Sequence, residues 1–199
     1  VSFFLSVFLC VFFLFYSWLP TLNPSDYFIF MRAQRSASAG KNEEAAEGCL
    51  RLIRRNPLFI HAYPLLAQAY QRMGKKELSL QCYFDYARYS EKKGDKASLA
   101  SAYIELAWAY QAQGDFAKAF AFYEKALALS RQNHDILNEA VALRRLAVWH
   151  IDNKNYDKAL ELLTKSSEIN RQREYLPAHK YNLACDYFDI GLVFMNKDD

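Results

Sequence analysis

The chain has 199 residues, of which 24% are charged, yet its first charged residue is Asp26 and its formal net charge is only +3. A balance this close to neutral, spread evenly beyond residue 26, excludes the dense basic footprint of a nucleic-acid binder. Cys10, Cys49, Cys82 and Cys185 form no C-x-x-C pair, which excludes zinc spacing and a disulfide framework and leaves ordinary, mostly buried thiols.

The first predicted element is the opening run VSFFLSVFLCVFFLFYSWLP, residues 1–20, which carries no charge and six phenylalanines. As a helix it would extend about 30 Å, the hydrocarbon thickness of a bilayer. A cleaved export signal has an apolar core of about 7–15 residues followed by an A-x-A-like site. The stretch YSWLPTLNP offers no such site, and Ala37–Ala39 lies too far along. A lipoprotein signal is disfavoured because Cys10 follows Leu9 rather than a small residue. A buried helix would show a polar stripe, whereas only Ser2, Ser6, Tyr16 and Ser17 interrupt this run. The expectation is a retained membrane anchor, with Tyr16 and Trp18 in the interfacial belt and a short linker over 21–25 set off by Pro20 and Pro24. Secretion or periplasmic release after signal cleavage is the alternative. Arg32, Arg35 and Lys41 favour a cytoplasmic position for the residues beyond the run. A single N-terminal anchor ahead of an exported domain is nonetheless common in bacteria, and the reading leans towards an extracytoplasmic position.

From residue 26 onward no period-2 strand pattern is sustained, and six glycines and five prolines are few for this length. The predicted class is all-α, and an internal repeat organises it. LAWAYQAQGDFAKAFAFYEKAL, beginning at Leu106, is echoed forty residues earlier by LAQAYQRMGKKELSLQCYFDYA and forty later by LAVWHIDNKNYDKALELLTKSS. A looser copy begins at Arg32, and the chain stops inside a fifth. A small residue marks each copy: Ala33, Ala67, Ala107, Ala147 and Gly191. Four residues before it stand Ile29, Tyr63, Tyr103, Leu143 and Tyr187, and three after it Ser36, Tyr70, Tyr110, His150 and Phe194. Seven after it, where a turn is required, come Gly40, Gly74 and Gly114, then Lys154 and Asp198. Ala45, Ser79, Ala119 and Ala159 follow at twelve. Spacings of three and four put these residues on one helix face, and glycine ends the first helix in a left-handed conformation. Small residues on both helices permit close approach, and large aromatics fill the remaining space. One such hairpin cannot bury its apolar face alone, so the copies must stack. They are drawn at 26–59, 60–99, 100–139, 140–183 and a truncated 184–199.

These residues resemble the tetratricopeptide repeat family over about 26–199. Leu106, Ala107, Tyr110, Gly114, Ala119, Tyr123 and Ala126 match its pattern, and Pro57 supplies the closing proline of the first copy. Arg32, Ser36, Ser79, His150, Lys154 and Ser166 depart from it. The excess of forty residues over the common thirty-four is placed between hairpins, as in the longer arrays of kinesin light chains and LGN/Pins scaffolds. The resemblance implies a right-handed superhelical solenoid of stacked antiparallel helix hairpins, preceded here by the one hydrophobic N-terminal helix. It also implies a protein or peptide partner, an extended peptide or a helix, held in a concave groove.

Groove positions one, four and five after each small residue, and three before it, fall on Gln68, Gln71, Arg72 and Pro64, then Trp108, Gln111, Ala112 and Ile104, then Val148, Ile151, Asp152 and Arg144. The Lys and Asn pair with which chaperone-binding relatives hold a C-terminal carboxylate is absent at these positions. The expected ligand is therefore a partly apolar peptide or helix, with Trp108 as its anchor unless that ring packs on the neighbouring hairpin.

No catalytic, metal or cofactor constellation is found. His61, His134, His150 and His179 lack partners at ligand spacing, and His179 and Cys185 fall on different helix faces. Glu91–Lys96 is a solvated turn without phosphate-loop spacing, and Glu43 and Glu44 suit a helix start. The expected function is a membrane-anchored, non-enzymatic scaffold with no small-molecule substrate. The alternative is the sensor or scaffold region of a larger signalling protein or enzyme whose output domain lies beyond the C-terminus.

Overall fold

The structure, a computed structural model, describes residues 23–197. The described residues form helices only: α1 (Pro24–Ser38), α2 (Asn42–Arg55), α3 (Ala62–Arg72), α4 (Lys76–Lys93), α5 (Lys96–Ala112), α6 (Phe116–Gln132), α7 (Ile136–Asp152), α8 (Tyr156–Arg171) and α9 (Pro177–Lys197). Each packs mainly on its neighbours in the chain, the quasi-one-dimensional order of a repeat protein. The opening run lies outside the described residues, so the anchor expected there is not among these helices. None of the helices that are described is long and apolar enough to cross a membrane.

Local signals explain where the helices begin and end. Asn23 caps α1 by accepting from the Ser25 amide at 3.1 Å, with Pro24 at the first helical position. Gly40, Gly74 and Gly114 adopt φ of +77°, +74° and +82° in the turns within hairpins, and Lys154 takes the same slot at +58° without being glycine. From residue 94 a finer rhythm appears. Gly94, Gly114, His134 and Lys154 all have positive φ and stand twenty residues apart. Directly after the first three, Asp95, Asp115 and Asp135 accept from the amides of Ser98, Lys118 and Asn138 and start the next helix. Residues 95–154 are thus three equal units of twenty, each with its own start and stop. The excess residues become helix: α2 and α3 have 14 and 11 residues, while α4 to α7 have 17 or 18.

The small landmark residues do lie at the closest approaches. Ala33, Ala67, Ala107 and Ala147 are buried, as are Ala45, Ser79, Ala119 and Ala159 opposite them. A Cβ at Gly48 would stand 2.9 Å from that of Ala33, which allows no larger residue there without movement. Cys49, Tyr83, Tyr123 and Leu163 fill the space between helices. Two apolar clusters result, one over α1 to α5 and one over α5 to α9, and Phe122 packs against both. Its ring lies 5.6 Å from Tyr110 and 5.9 Å from Tyr103.

The last helix differs. It begins at Pro177, ahead of the point at 184 from which the fifth copy was drawn, and packs on α8 and α7. A Cβ added at its landmark Gly191 would meet no other element among the described residues within 4 Å, and Tyr187 and Phe194, whose counterparts are at least half-buried elsewhere, are 54% and 55% exposed.

Candidate functional site

The first helices of successive copies, α3, α5 and α7, share a cleft of about 570 Å³. Gln68, Gln71 and Arg72 reach it from one face of α3, at spacings that bring them together on adjacent turns. Ile104, Glu105 and Trp108 reach it from α5, and Arg145 from α7, while the buried Tyr83 of α4 touches its floor. A second hollow of about 290 Å³ continues the surface from Ile104 and Glu105 across Val141 of α7 to Tyr181 of α9. There Asn138 ties α7 to α5 by donating to the Ala97 carbonyl at 3.2 Å and the Ser101 hydroxyl at 3.0 Å.

The cleft floor is polar and incompletely paired. Burial pushes the Glu105 carboxyl above its ordinary range, and the Tyr83 hydroxyl and the Arg145 charge only partly offset that. The Tyr83 hydroxyl and Arg145 Nε are buried and make no well-formed hydrogen bond among the described residues. Arg72, by contrast, donates to the Ala37 carbonyl at 2.9 Å, which satisfies the end of α1 and fixes the guanidinium at the cleft edge. The site therefore offers a half-buried indole, two amides, two guanidinium groups and one carboxyl within a single concavity.

Five of the expected groove residues, Gln68, Gln71, Arg72, Ile104 and Trp108, line this one cleft. The other four lie elsewhere. Gln111 accepts from the Tyr123 hydroxyl at 3.1 Å and so belongs to its own hairpin. Arg144 donates to Asp189 of α9 at 3.0 Å, with both side chains largely buried. Val148 is half-buried, and Ile151 packs against the second apolar cluster. Of the remaining groove positions, Pro64 is half-buried, and Ala112 and Asp152 are exposed. Sequence reasoning missed Glu105 and Arg145. Both stand two residues before their landmarks, Ala107 and Ala147, and the opposed charges at one repeat position were the available signal.

A separate polar cluster joins α7, α8 and α9. The Ser166 hydroxyl lies 3.0 Å from the Ala140 carbonyl and 2.9 and 3.0 Å from the two Asp186 carboxyl oxygens. Asn170 Nδ2 donates to Asp186 at 2.8 Å, and its carbonyl oxygen faces His179 Nδ1 at 2.9 Å, which puts the ring proton on Nδ1. The lone Ser166 proton cannot serve both the Ala140 carbonyl and an ionised Asp186. A protonated Asp186 donates to Ser166, which then donates to Ala140, and every group is satisfied. In keeping with this, burial raises the Asp186 pKa to about 6, against the opposing pull of Asn170, Ser166 and Arg144. Burial also lowers the His179 pKa, with help from the Arg173 charge. Among the described residues no group of three or more His, Cys, Asp or Glu is placed to hold a metal.

Comparison with known proteins agrees with this geometry. BtubC (BKLC) from P. vanneervenii superimposes with a TM-score of 0.70 at 20% identity, covering 86% of this chain and 72% of that one. A putative kinesin light chain from Podosopora anserina with nearly identical TPR-like repeats gives 0.62 at 20% identity over 86% and 89%. At these identities the likeness concerns the fold. The secreted RxLR effector protein RXLR-C07 of Plasmopara halstedii is 30% identical over 115 residues, which is 56% of this chain and 35% of that protein. The present chain thus spans about a third of that relative's length. Two tetratricopeptide repeat family models match residues 58–132 and 110–179, jointly covering well over half of the sequence. On repeat pattern, helix architecture and family match alike, the chain belongs to the tetratricopeptide repeat family.

Proposed function

We propose that this array is a non-enzymatic scaffold that holds a partly apolar peptide or helix across α3, α5 and α7. The observation that carries this reading is the cleft itself, where three successive copies converge on half-buried Trp108 with unpaired polar atoms beneath it. An aromatic anchor in a concavity with convergent polar groups is the usual composition of a binding hot spot. Trp108 supplies the apolar contact, and Gln68 and Gln71 pair with main-chain amides of an extended ligand. A displayed random-peptide library selected on the full chain tests this. Enriched peptides should lose at least about tenfold in affinity on Trp108→Ala, an ordinary hot-spot loss. Equal binding to wild type and variant, or no enrichment, overturns the reading.

The opening run anchors this scaffold in a membrane, with the array on the extracytoplasmic side. Its length and uniform apolarity support that reading. The chain should stay with the membrane after alkaline carbonate extraction, and release with residues 1–20 still attached removes the anchor. One observation favours the alternative of a secreted array: the effector to which 115 residues are similar is itself a secreted protein.

A further inference from the structure

The cleft across α3, α5 and α7 holds more positive charge than its own residues neutralise. Arg72 and Arg145 bring guanidinium groups to it, and Glu105 brings its one carboxyl. Arg72 commits Nη1 to the Ala37 carbonyl at 2.9 Å, which leaves its remaining donors for the cleft. Arg145 Nε is buried without an acceptor among the described residues, whereas the neighbouring Arg144 has Asp189 at 3.0 Å. A buried donor on a charged group costs more when left unpaired than a neutral one. A carboxylate is the acceptor that matches a guanidinium in both charge and shape.

The obstacle to such a ligand is Glu105, whose carboxyl would stand beside the incoming one. The ionisable groups around it are Tyr83 and Tyr86 from α4, Tyr123 from α6, Arg145 from α7 and, at the cleft edge, Arg72 from α3. Burial holds the three phenols neutral. The only full charges that steady an ionised Glu105 are thus the guanidinium groups that an acidic ligand would itself occupy. A like charge brought beside a carboxyl favours its neutral form, and burial has already moved Glu105 in that direction. We propose that the cleft takes a peptide with an acidic side chain seated on Arg145 and Arg72, and that Glu105 takes up a proton from solvent as that side chain binds. This deepens the reading of the cleft given above and rests on it, with Trp108 holding the apolar part of the same peptide. The coupling is reciprocal: a ligand that strengthens proton binding is itself held more tightly as the pH falls. The ligand carboxyl, with an ordinary pKa of about 4, stays ionised down to about pH 5.

Peptides enriched from the displayed library are made with amidated C-termini, so that only side chains carry carboxylates, and titrated calorimetrically into the full chain in mild detergent. They should share an acidic residue, and replacing it by its amide should weaken binding by about tenfold or more at pH 6. Arg145→Gln should reproduce that loss. Wild type should bind more tightly as the pH falls from 8 to 5.5, and titrations in two buffers of unlike ionisation heat should read net proton uptake. Glu105→Gln removes the like charge without changing shape and should bind about tenfold more tightly than wild type at pH 8. That advantage should shrink as the pH falls and wild-type Glu105 takes its proton. Helical circular dichroism checks each variant, and proton uptake by wild type decides alone if one does not fold. Peptides that need Trp108 but bind equally well with the acid or its amide overturn this proposal and leave the reading of the cleft in place. So does binding without proton uptake, or a folded Glu105→Gln that binds no more tightly at pH 8. No enrichment, or binding indifferent to Trp108, overturns both.

Discussion

The contact between α6 and α7 and the contact between α8 and α9 share one repeat register but differ in chemistry. At matching positions the earlier contact has Ala126 and Ala142, both fully buried, where the later one has Ser166 and Asp186, also fully buried. One helical turn further along, the Ser130 hydroxyl finds no hydrogen-bond partner among the described residues, whereas Asn170 is bonded on both sides. The first contact is closed by apolar packing and is indifferent to pH. The second is closed by a hydrogen-bond chain whose completeness depends on one proton. The same backbone geometry can therefore be sealed by either chemistry, and only the polar version makes the docking of a helix conditional.

The largest expected effect breaks the apolar side of this comparison. Leu143→Ala, in the core around α7, should cost about 2–5 kcal/mol in denaturant unfolding, because the cavity refills poorly. It should do so equally at pH 5.5 and pH 7.5. An intermediate effect sharpens the polar side. The folded pKa of Asp186, about 6, lies above its ordinary value of 3.8, so the folded state binds the proton more tightly. The stability it adds is complete below the ordinary value and is lost as pH rises through about 6. Through Asp186, lowering the pH from 7.5 to 5.5 should then add about 0.8 kcal/mol of stability. His179, whose pKa is lowered by burial from 6.5, opposes this as the pH falls through 6.5, because the unfolded ring then takes its proton more readily than the folded one. Asp186→Asn keeps a neutral donor for Ser166 and should remove that contribution, read as the difference between wild type and variant in thermal midpoints at the two pH values. An unchanged slope would place the proton elsewhere.

The smallest effect concerns neither contact but the turn before α8. Lys154 holds φ of +58°, where a side chain costs about 1–2 kcal/mol, and glycine returns part of that as unfolded-chain entropy. Lys154→Gly should stabilise by about 0.5–1 kcal/mol in the same unfolding measurement. Loss of stability instead would mean that the Lys154 side chain makes a contribution of its own.

Features set by spacing were legible in the sequence. The small landmarks, the turn slots and the buried partners at twelve residues are consequences of helix period and close approach, which leave marks at fixed offsets. The cleft was half legible, because the rule for groove positions ignores which face of α7 is turned towards α5. It selected Arg144, which turns to Asp189, over Arg145, which faces Trp108 and Glu105 across the cleft. The polar cluster was not legible. An aspartate such as Asp186 within an amphipathic helix reads as solvated, and only the arrival of Ser166 and Asn170 from α8 makes its burial affordable. The start of α9 at Pro177 was hidden because spacing measured from Gly191 marks a register, not an end.

The twenty-residue rhythm beyond Gly94 has a consequence for modularity. From Asp95 to Lys154 each twenty-residue unit carries its own initiator and its own terminator, so no helix there depends on the next for a boundary. A segment such as 95–134 begins with a helix-starting aspartate and ends on a residue in the left-handed conformation. Duplicated in place, it meets a matching junction at both ends. Lengthening the array by one rung then requires no new turn, only repetition of those already present.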